Sequence, residues 1–212
     1  MKMRYSCTVV ALLVALSGLA CLQPRPTGAN AVRNSPMRAL PERSAGLLVI
    51  ELGSLRDRRS VTRWMSDLAA RAEMDGAMRS VFDRFGRRIL DRLDRLALVV
   101  VPIEPGHTGF ALMAEGDLDE ATLLQSMGGA RTVTLLEIAD QPDVSVTILS
   151  GGTLVVGPLT VLNMVQDNAP AGAGEGFGAG GLQKNGSLMS MLDRVDARSQ
   201  IWGAIDYAPL AN

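Results

Sequence analysis

Apolar positions along the chain follow two different spacings, which predict strands in some segments and helices in others. Continuous apolar runs predict buried strands at "GLLVIEL" (46–52) and "LALVVVPI" (96–103). "GFALMAEG" (109–116) follows the second run after a short turn and predicts its hairpin partner. Between the first two runs, apolar side chains recur every three or four residues over 58–93, which predicts helices, as at Val61, Trp64, Met65, Leu68 and Ala72.

The same two spacings continue to the end of the chain. A helix is predicted over 118–127, with Asp117 as its N-cap and Glu120 completing a capping box. The remaining predictions are a strand, a second hairpin with its helix, another helix and a closing strand, at 130–139, 144–149, 153–157, 159–167, 187–195 and 199–207. The predicted fold class is α+β: a mostly antiparallel sheet with helices packed on one face, a ferredoxin-like βαββαβ start and a second hairpin–helix unit.

The first residues have the pattern of a secretory signal peptide. Lys2 and Arg4 precede an apolar stretch, and small residues follow it up to Cys21. The apolar segment is shorter than the roughly 20 residues that a membrane-spanning helix needs. Ordinary cleavage after Ala20 is one interpretation; "GLAC" also resembles the lipobox of bacterial lipoproteins, although Gly18 stands where that motif usually has Leu. We expect Cys21 to be lipidated and to become the first residue of the mature chain.

The leader sets the expected domain organisation. Residues 1–20 are the predicted signal peptide, and 21–43 are predicted to be the lipidated cysteine and a disordered, proline-rich tether, because this segment lacks apolar periodicity. Residues 44–212 are then a single α+β domain. The expected location is extracytoplasmic, lipid-anchored to a bacterial membrane, and in a cell with two membranes the resemblance points to the outer membrane.

Charge and composition narrow the expected partners. The chain has 21 basic and 22 acidic residues and a net charge of −1, and its predicted domain is net negative. A nucleic-acid-binding domain would carry a basic face, so nucleic acid is not an expected partner. Both cysteines, Cys7 and Cys21, lie in the N-terminal segment, so the predicted domain has no thiol chemistry.

The motifs that could carry chemistry have simpler structural interpretations. His107 is the only histidine and lies in a predicted turn, so no catalytic role and no histidine-pair metal site is predicted. "GFGAGG" (176–181) matches a dinucleotide fingerprint by letter, but it does not connect a strand to a helix as that motif requires. The acidic residues Asp117, Asp119 and Glu120 are explained by helix capping. No catalytic, metal-binding or cofactor-binding residue is therefore predicted, and no cofactor is expected.

Three segments, "TGFALMAEGDLDEATLL", "GGTLVVGPLTVLNMVQD" and "IWGAIDY", together resemble uncharacterised, membrane-anchored extracytoplasmic bacterial proteins. The resemblance implies the fold and the envelope location and no particular chemistry. We expect a non-catalytic lipoprotein that acts by interaction, with the membrane as one partner through its lipid anchor and an envelope protein, a glycan or a small ligand as another. Two alternatives stay open: a carboxylate-based hydrolase of the cell envelope, and a fragment of a larger duplicated envelope protein.

Overall fold

The computed structural model describes residues 26–55, 85, 89–104, 107–136, 144–169 and 181–210. The described helices are α1 (Gly28–Arg33), α2 (Leu52–Leu55), α3 (Ile89–Arg92), α4 (Glu120–Ser126), α5 (Leu159–Asn168) and α6 (Gly186–Leu192). The described strands are β1 (Gly46–Ile50), β2 (Leu93–Glu104), β3 (His107–Gly116), β4 (Thr132–Leu136), β5 (Val144–Leu149), β6 (Thr153–Pro158) and β7 (Ile201–Ile205). The helices predicted from Val61 to Phe82 lie outside the described residues.

The seven described strands form one antiparallel sheet in the order β4-β5-β6-β3-β2-β1-β7. The α+β class, the mostly antiparallel sheet and both predicted hairpins are confirmed. The tight turn of the second hairpin depends on Gly151 and Gly152, which have φ angles of 85° and 79°. Residues other than glycine rarely adopt such values, so the glycines fix this turn.

The ferredoxin-like start is a correction. In that arrangement the first two strands are parallel, because the helix between them crosses from one end of the sheet to the other. Here β1 lies directly beside β2 and antiparallel to it, with Leu48 opposite Leu98. The chain therefore re-enters the sheet at the end where β1 leaves it, and β7 occupies the other side of β1.

Helices cover both faces of the sheet, which corrects the prediction that they pack on one face. The inner face carries the larger core, in which α1, α5 and α6 pack on residues such as Leu47, Val99 and Met113. The outer face carries a second core, in which side chains of α2, α3 and α4 pack on residues such as Ile148 and Leu154. Because "LALVVVPI" is apolar at odd and even positions alike, both faces of β2 are apolar and both favour burial.

The segment 26–43 is part of the folded domain, so the predicted tether is wrong over these residues. Thr27 caps α1 and pairs with Asp196, which joins the segment to the loop before β7. A 3₁₀ helix follows at Pro36–Ala39. Five apolar side chains of the segment are completely buried in the inner core, namely Ala29, Val32, Met37, Ala39 and Leu40. The domain therefore includes residues well before position 44.

The two hairpin–helix units place their helices on opposite faces. Helix α4 packs Leu123 into the outer core, whereas α5 packs Val161, Leu162 and Val165 into the inner core. A duplicated unit would keep its helix on the same side of its hairpin. The second hairpin–helix unit is thus present as predicted, but its geometry does not repeat that of the first.

Candidate interaction surface

Five large apolar side chains are exposed on the outer face of the sheet. They are Leu48, Leu98, Phe110, Ile201 and Ile205, with exposed fractions of 41, 37, 55, 58 and 46%. We call this set the outer patch. Side chains alternate between the two faces along each strand. The residues next to the patch residues in β1, β2 and β3 therefore point to the inner face, where Val49, Val99 and Ala111 are buried. The same strands therefore bury one side chain and expose the next, although both are apolar.

The sheet register arranges the outer face in rows that run across the strands. In the first row Ile50 lies opposite Leu96, and Leu96 opposite Ala114, next to the outer core. In the second row Leu48 lies opposite Leu98, and Leu98 opposite Leu112. In the third row Gly46 lies opposite both Val100 and Ile205, and Val100 opposite Phe110. Along β1, β2 and β3 the first row is the better covered, because it lies beside the outer core, whereas Leu48, Leu98 and Phe110 in the next two rows are exposed. On β7, Ile201 lies opposite Ile50 in the first row and is exposed, as is Ile205 in the third.

The outer patch is suited to binding an apolar surface. Scattered exposed apolar residues are normal on proteins, but apolar side chains that are neighbours in adjacent strands mark interaction sites. Leu48 and Leu98 are direct cross-strand neighbours. Ile201 and Ile205 both belong to β7 and extend the patch to the edge of the sheet. What the geometry supports is therefore contact with an apolar partner across several strands.

A second feature is the ion cluster of Glu51, Arg95 and Glu115 at the ends of β1, β2 and β3. Arg95 Nε donates to Glu51 Oε1 at 2.9 Å, and an Arg95 terminal nitrogen donates to Glu115 Oε2 at 3.1 Å. Trp202 Nε1 also donates to Glu51 Oε1, at 3.2 Å. Burial raises the pKa of Glu115, and Arg95 opposes this shift only in part. Glu115 Oε1 is buried and accepts no hydrogen bond from the described residues.

This cluster does not have the arrangement of an acid–base pair around a substrate. Arg95 lies between the two carboxylates and binds both, so the space between them is filled by its guanidinium. Paired catalytic carboxylates flank the bond that they cleave and have separate environments. Glu51, Arg95 and Glu115 instead join three neighbouring strands at one end of the sheet. The geometry favours a structural role.

Two grooves on the described surface are lined by residues that belong to neither the outer patch nor the ion cluster. The larger, about 640 Å³, is open and lined by both polar and apolar residues, among them Glu42, Arg43, Met164 and Asn185. Two of its polar side chains have partners among the described residues: Arg43 donates to the Ile103 carbonyl, and Asn185 donates to the carbonyls of Glu42 and Ser44. The smaller groove, about 220 Å³, lies between α3 and α4 and includes Leu118, Leu123 and Ser126.

The structure places the predicted candidate residues as follows. His107 is exposed at the start of β3, opposite Glu104. Cys21 and most of the glycine-rich segment 176–181 lie outside the described residues. Ser187, which is not a predicted candidate, donates to Asp206 at 2.6 Å and lowers the pKa of the Asp206 carboxyl. Within the described ranges, no group of three or more His, Cys, Asp and Glu side chains is placed to hold a metal ion.

The acidic residues at the start of α4 depart from the prediction in two respects. The N-cap is Asp119, not Asp117, and its carboxylate accepts from the Thr122 backbone at 3.0 Å. Hydrogen bonds from Thr122 also lower the pKa of Asp119. Glu120 does not complete a capping box: it pairs with Arg131 at 2.9 Å and accepts from the Gly151 backbone. Glu120 thus joins α4 to the turn of the second hairpin.

Comparison with known proteins gives no relationship on which a function could rest. No protein-family model matches the chain, no curated protein matches it, and no solved structure matches it. The resemblance to membrane-anchored extracytoplasmic proteins therefore stays an expectation. None of the described helices is long and apolar enough to cross a membrane.

Sequence reasoning missed the outer patch. Its residues belong to segments whose apolar content predicts strands, and an apolar residue that is exposed looks the same in the sequence as one that is buried. One segment of the sequence does indicate apolar residues on both faces of a strand. In "IWGAIDY" the apolar residues include Ile201 and Ile205 at odd positions and Trp202 and Ala204 at even positions. The closing strand was predicted, but not its place at the sheet edge.

Proposed function

We propose that this chain is a non-catalytic extracytoplasmic lipoprotein that is anchored through Cys21 and binds an apolar partner through the outer patch. Two observations support the proposal. The leader ends in small residues before Cys21, as in lipoprotein signal peptides. The outer patch is the observation that carries the binding role, because five large apolar side chains are exposed on one face of the sheet.

The start of the folded domain changes the geometry of the proposed anchor. Pro26 already contacts the folded domain, and only four residues, 22–25, separate it from Cys21. Even fully extended, that length of chain reaches at most about 18 Å, so the domain would lie close to the membrane surface. Ala197 N–H donates to the Pro26 carbonyl at 3.0 Å, four residues before β7. The proposed anchor would therefore attach near the β7 edge of the sheet.

The anchor is tested by fatty-acid labelling and membrane fractionation of the full chain. We expect the wild-type chain to take up label and to sediment with membranes, and Cys21→Ser to lose both properties. Cys7→Ser is the matched control, because Cys7 lies inside the predicted signal peptide, and it should be labelled like the wild type. A wild-type chain without label, or a Cys21→Ser chain that is bound as firmly as wild type, would contradict the anchor.

A further inference from the structure

Strand β7 forms one edge of the described sheet and has backbone groups that point away from it. Asp206 N–H donates to the Ala45 carbonyl at 2.6 Å, and Glu51 N–H donates to the Gln200 carbonyl at 2.8 Å. In an antiparallel pair, hydrogen-bonded and non-hydrogen-bonded residues alternate. The backbone N–H and C=O groups of Trp202 and Ala204 therefore point to β1. Those of Ile201, Gly203 and Ile205 point to the free edge. No described strand pairs with that edge.

The sequence of this edge is complementary to itself. In "IWGAI" the two isoleucines are placed symmetrically about Gly203. An antiparallel copy centred on Gly203 would put Ile201 opposite Ile205 of the other chain, and Gly203 opposite Gly203. Each of these pairs would exchange two backbone hydrogen bonds, since all three residues present their free groups at the edge. The isoleucines would also pack as cross-strand pairs on the outer face.

The flanking residues and the strand itself are compatible with this register. Asp206 would lie opposite Gln200, and Tyr207 opposite Ser199, so no like charges meet next to the strand. Edge strands that must not pair usually carry lysine, proline or a bulge. Strand β7 carries none of these, and its register with β1 is regular from Ile201 to Ile205.

We infer that a second copy of this chain pairs with the β7 edge, antiparallel and centred on Gly203. The two seven-stranded sheets then form one continuous sheet, and the outer patches of both copies meet across the new strand pair. The binding surface of the proposed function would be shared between two chains. The inference does not depend on the lipid anchor, because it concerns only described residues of the folded domain.

Cysteine cross-linking tests the register directly, in the full chain carrying Cys7→Ser and Cys21→Ser. Ile201→Cys and Ile205→Cys are made separately. In the proposed dimer, Cα atoms of a hydrogen-bonded pair are about 5.5 Å apart, within the range for a disulfide. Two copies of the same variant place their cysteines roughly 13 Å apart, which is too far. We therefore expect a disulfide-linked dimer from the mixture of the two variants and none from either variant alone.

Absence of the cross-link in the mixture, or equal cross-linking in a single variant, would overturn the inference.

Sedimentation equilibrium of the same cysteine-free background gives a second readout. Ile205→Lys should raise the dimer dissociation constant at least about tenfold, through loss of two symmetric cross-strand pairs. Leu159→Lys is the control: it adds the same charge at an exposed apolar position of α5, outside the outer patch, and should leave the constant unchanged. An equal effect of Leu159→Lys, or a monomeric background chain, would contradict edge pairing, and circular dichroism verifies that each variant is folded.

Discussion

At the scale of single residues, Arg95 is held between two glutamates of neighbouring strands. Arg95 is about one-quarter exposed, with a side-chain accessibility of 26%, and it holds Glu51 and Glu115 at hydrogen-bond distance. These residues are 44 and 20 positions from Arg95 in sequence. Sequence reasoning could not bring them together, because their proximity depends on strand register and not on any local pattern.

Removal of Arg95 should destabilise the fold more than removal of an exposed arginine. Arg95→Met leaves two partly buried carboxylates without their cation, and we expect the free energy of unfolding to fall by about 2 kcal/mol, less than for a fully buried pair. Arg198, whose pair with Asp196 is exposed, is the matched control, and Arg198→Met should cause no resolvable loss. Urea denaturation at pH 7 measures both changes. Equal stability of the two variants would show that the ion cluster does not hold the strands together.

The raised pKa of Glu115 predicts how stability depends on pH. Between the ordinary glutamate value of 4.5 and the higher pKa in the fold, the folded chain binds more protons at this carboxyl than the unfolded chain does. The contribution of Glu115 to the free energy of unfolding is therefore fully present below pH 4.5, and it is lost as the pH rises through the raised pKa. Glu115→Gln should remove this decline, which urea denaturation at a series of pH values from 4 to 7 would measure. The same decline in variant and wild type would assign it to another group.

At the scale of elements, strands were easier to predict from sequence than the first helices. The apolar runs at 46–52, 96–103 and 109–116 gave β1, β2 and β3 nearly at their observed ends. Helix α1 and the following 3₁₀ helix were missed, because each contributes only two buried apolar residues among polar and helix-breaking ones: Ala29 and Val32 in α1, Met37 and Ala39 in the 3₁₀ helix. Such short patterns do not differ from those of a flexible linker. Their burial follows from contacts with distant parts of the chain.

Met37 provides the test of this correction. Met37→Ala would leave a cavity in the inner core, where the side chain is completely buried, and should lower the free energy of unfolding by at least about 2 kcal/mol. Glu42→Ala, at an exposed position of the same segment, is the control and should change stability little. Thermal or urea denaturation of the full chain measures both. If the segment were a spacer, Met37→Ala would be as stable as the control.

At the scale of the whole molecule, the fold class was predictable and the topology was not. Strand and helix spacings are local properties, so they indicated an antiparallel α+β domain with two hairpins. The order of strands depends on which apolar faces meet, and β1 and β7 lie side by side although about 150 residues separate them. The outer patch exists because of that order, since Ile201 and Ile205 extend the face formed by Leu48 and Leu98. It could not be located from sequence.

Dye binding tests whether the outer patch is accessible in the whole molecule. A fluorescent dye that binds exposed apolar surface should bind the full chain, and Phe110→Ser should reduce the bound fluorescence severalfold, because Phe110 is large and half exposed. Leu159→Ser, at an exposed apolar position in α5 outside the patch, is the control and should keep most of the signal. Equal loss in both variants would mean that the dye does not report on the outer patch.

The intact mass of the mature chain, purified from membranes of the organism that makes it, tests the proposed lipoprotein most directly. We predict a polypeptide that begins at Cys21 and carries the added mass of several acyl chains, since one chain alone gives only marginal membrane binding. A mass that includes the first 20 residues, or one that begins at Cys21 without acyl chains, would contradict the proposal.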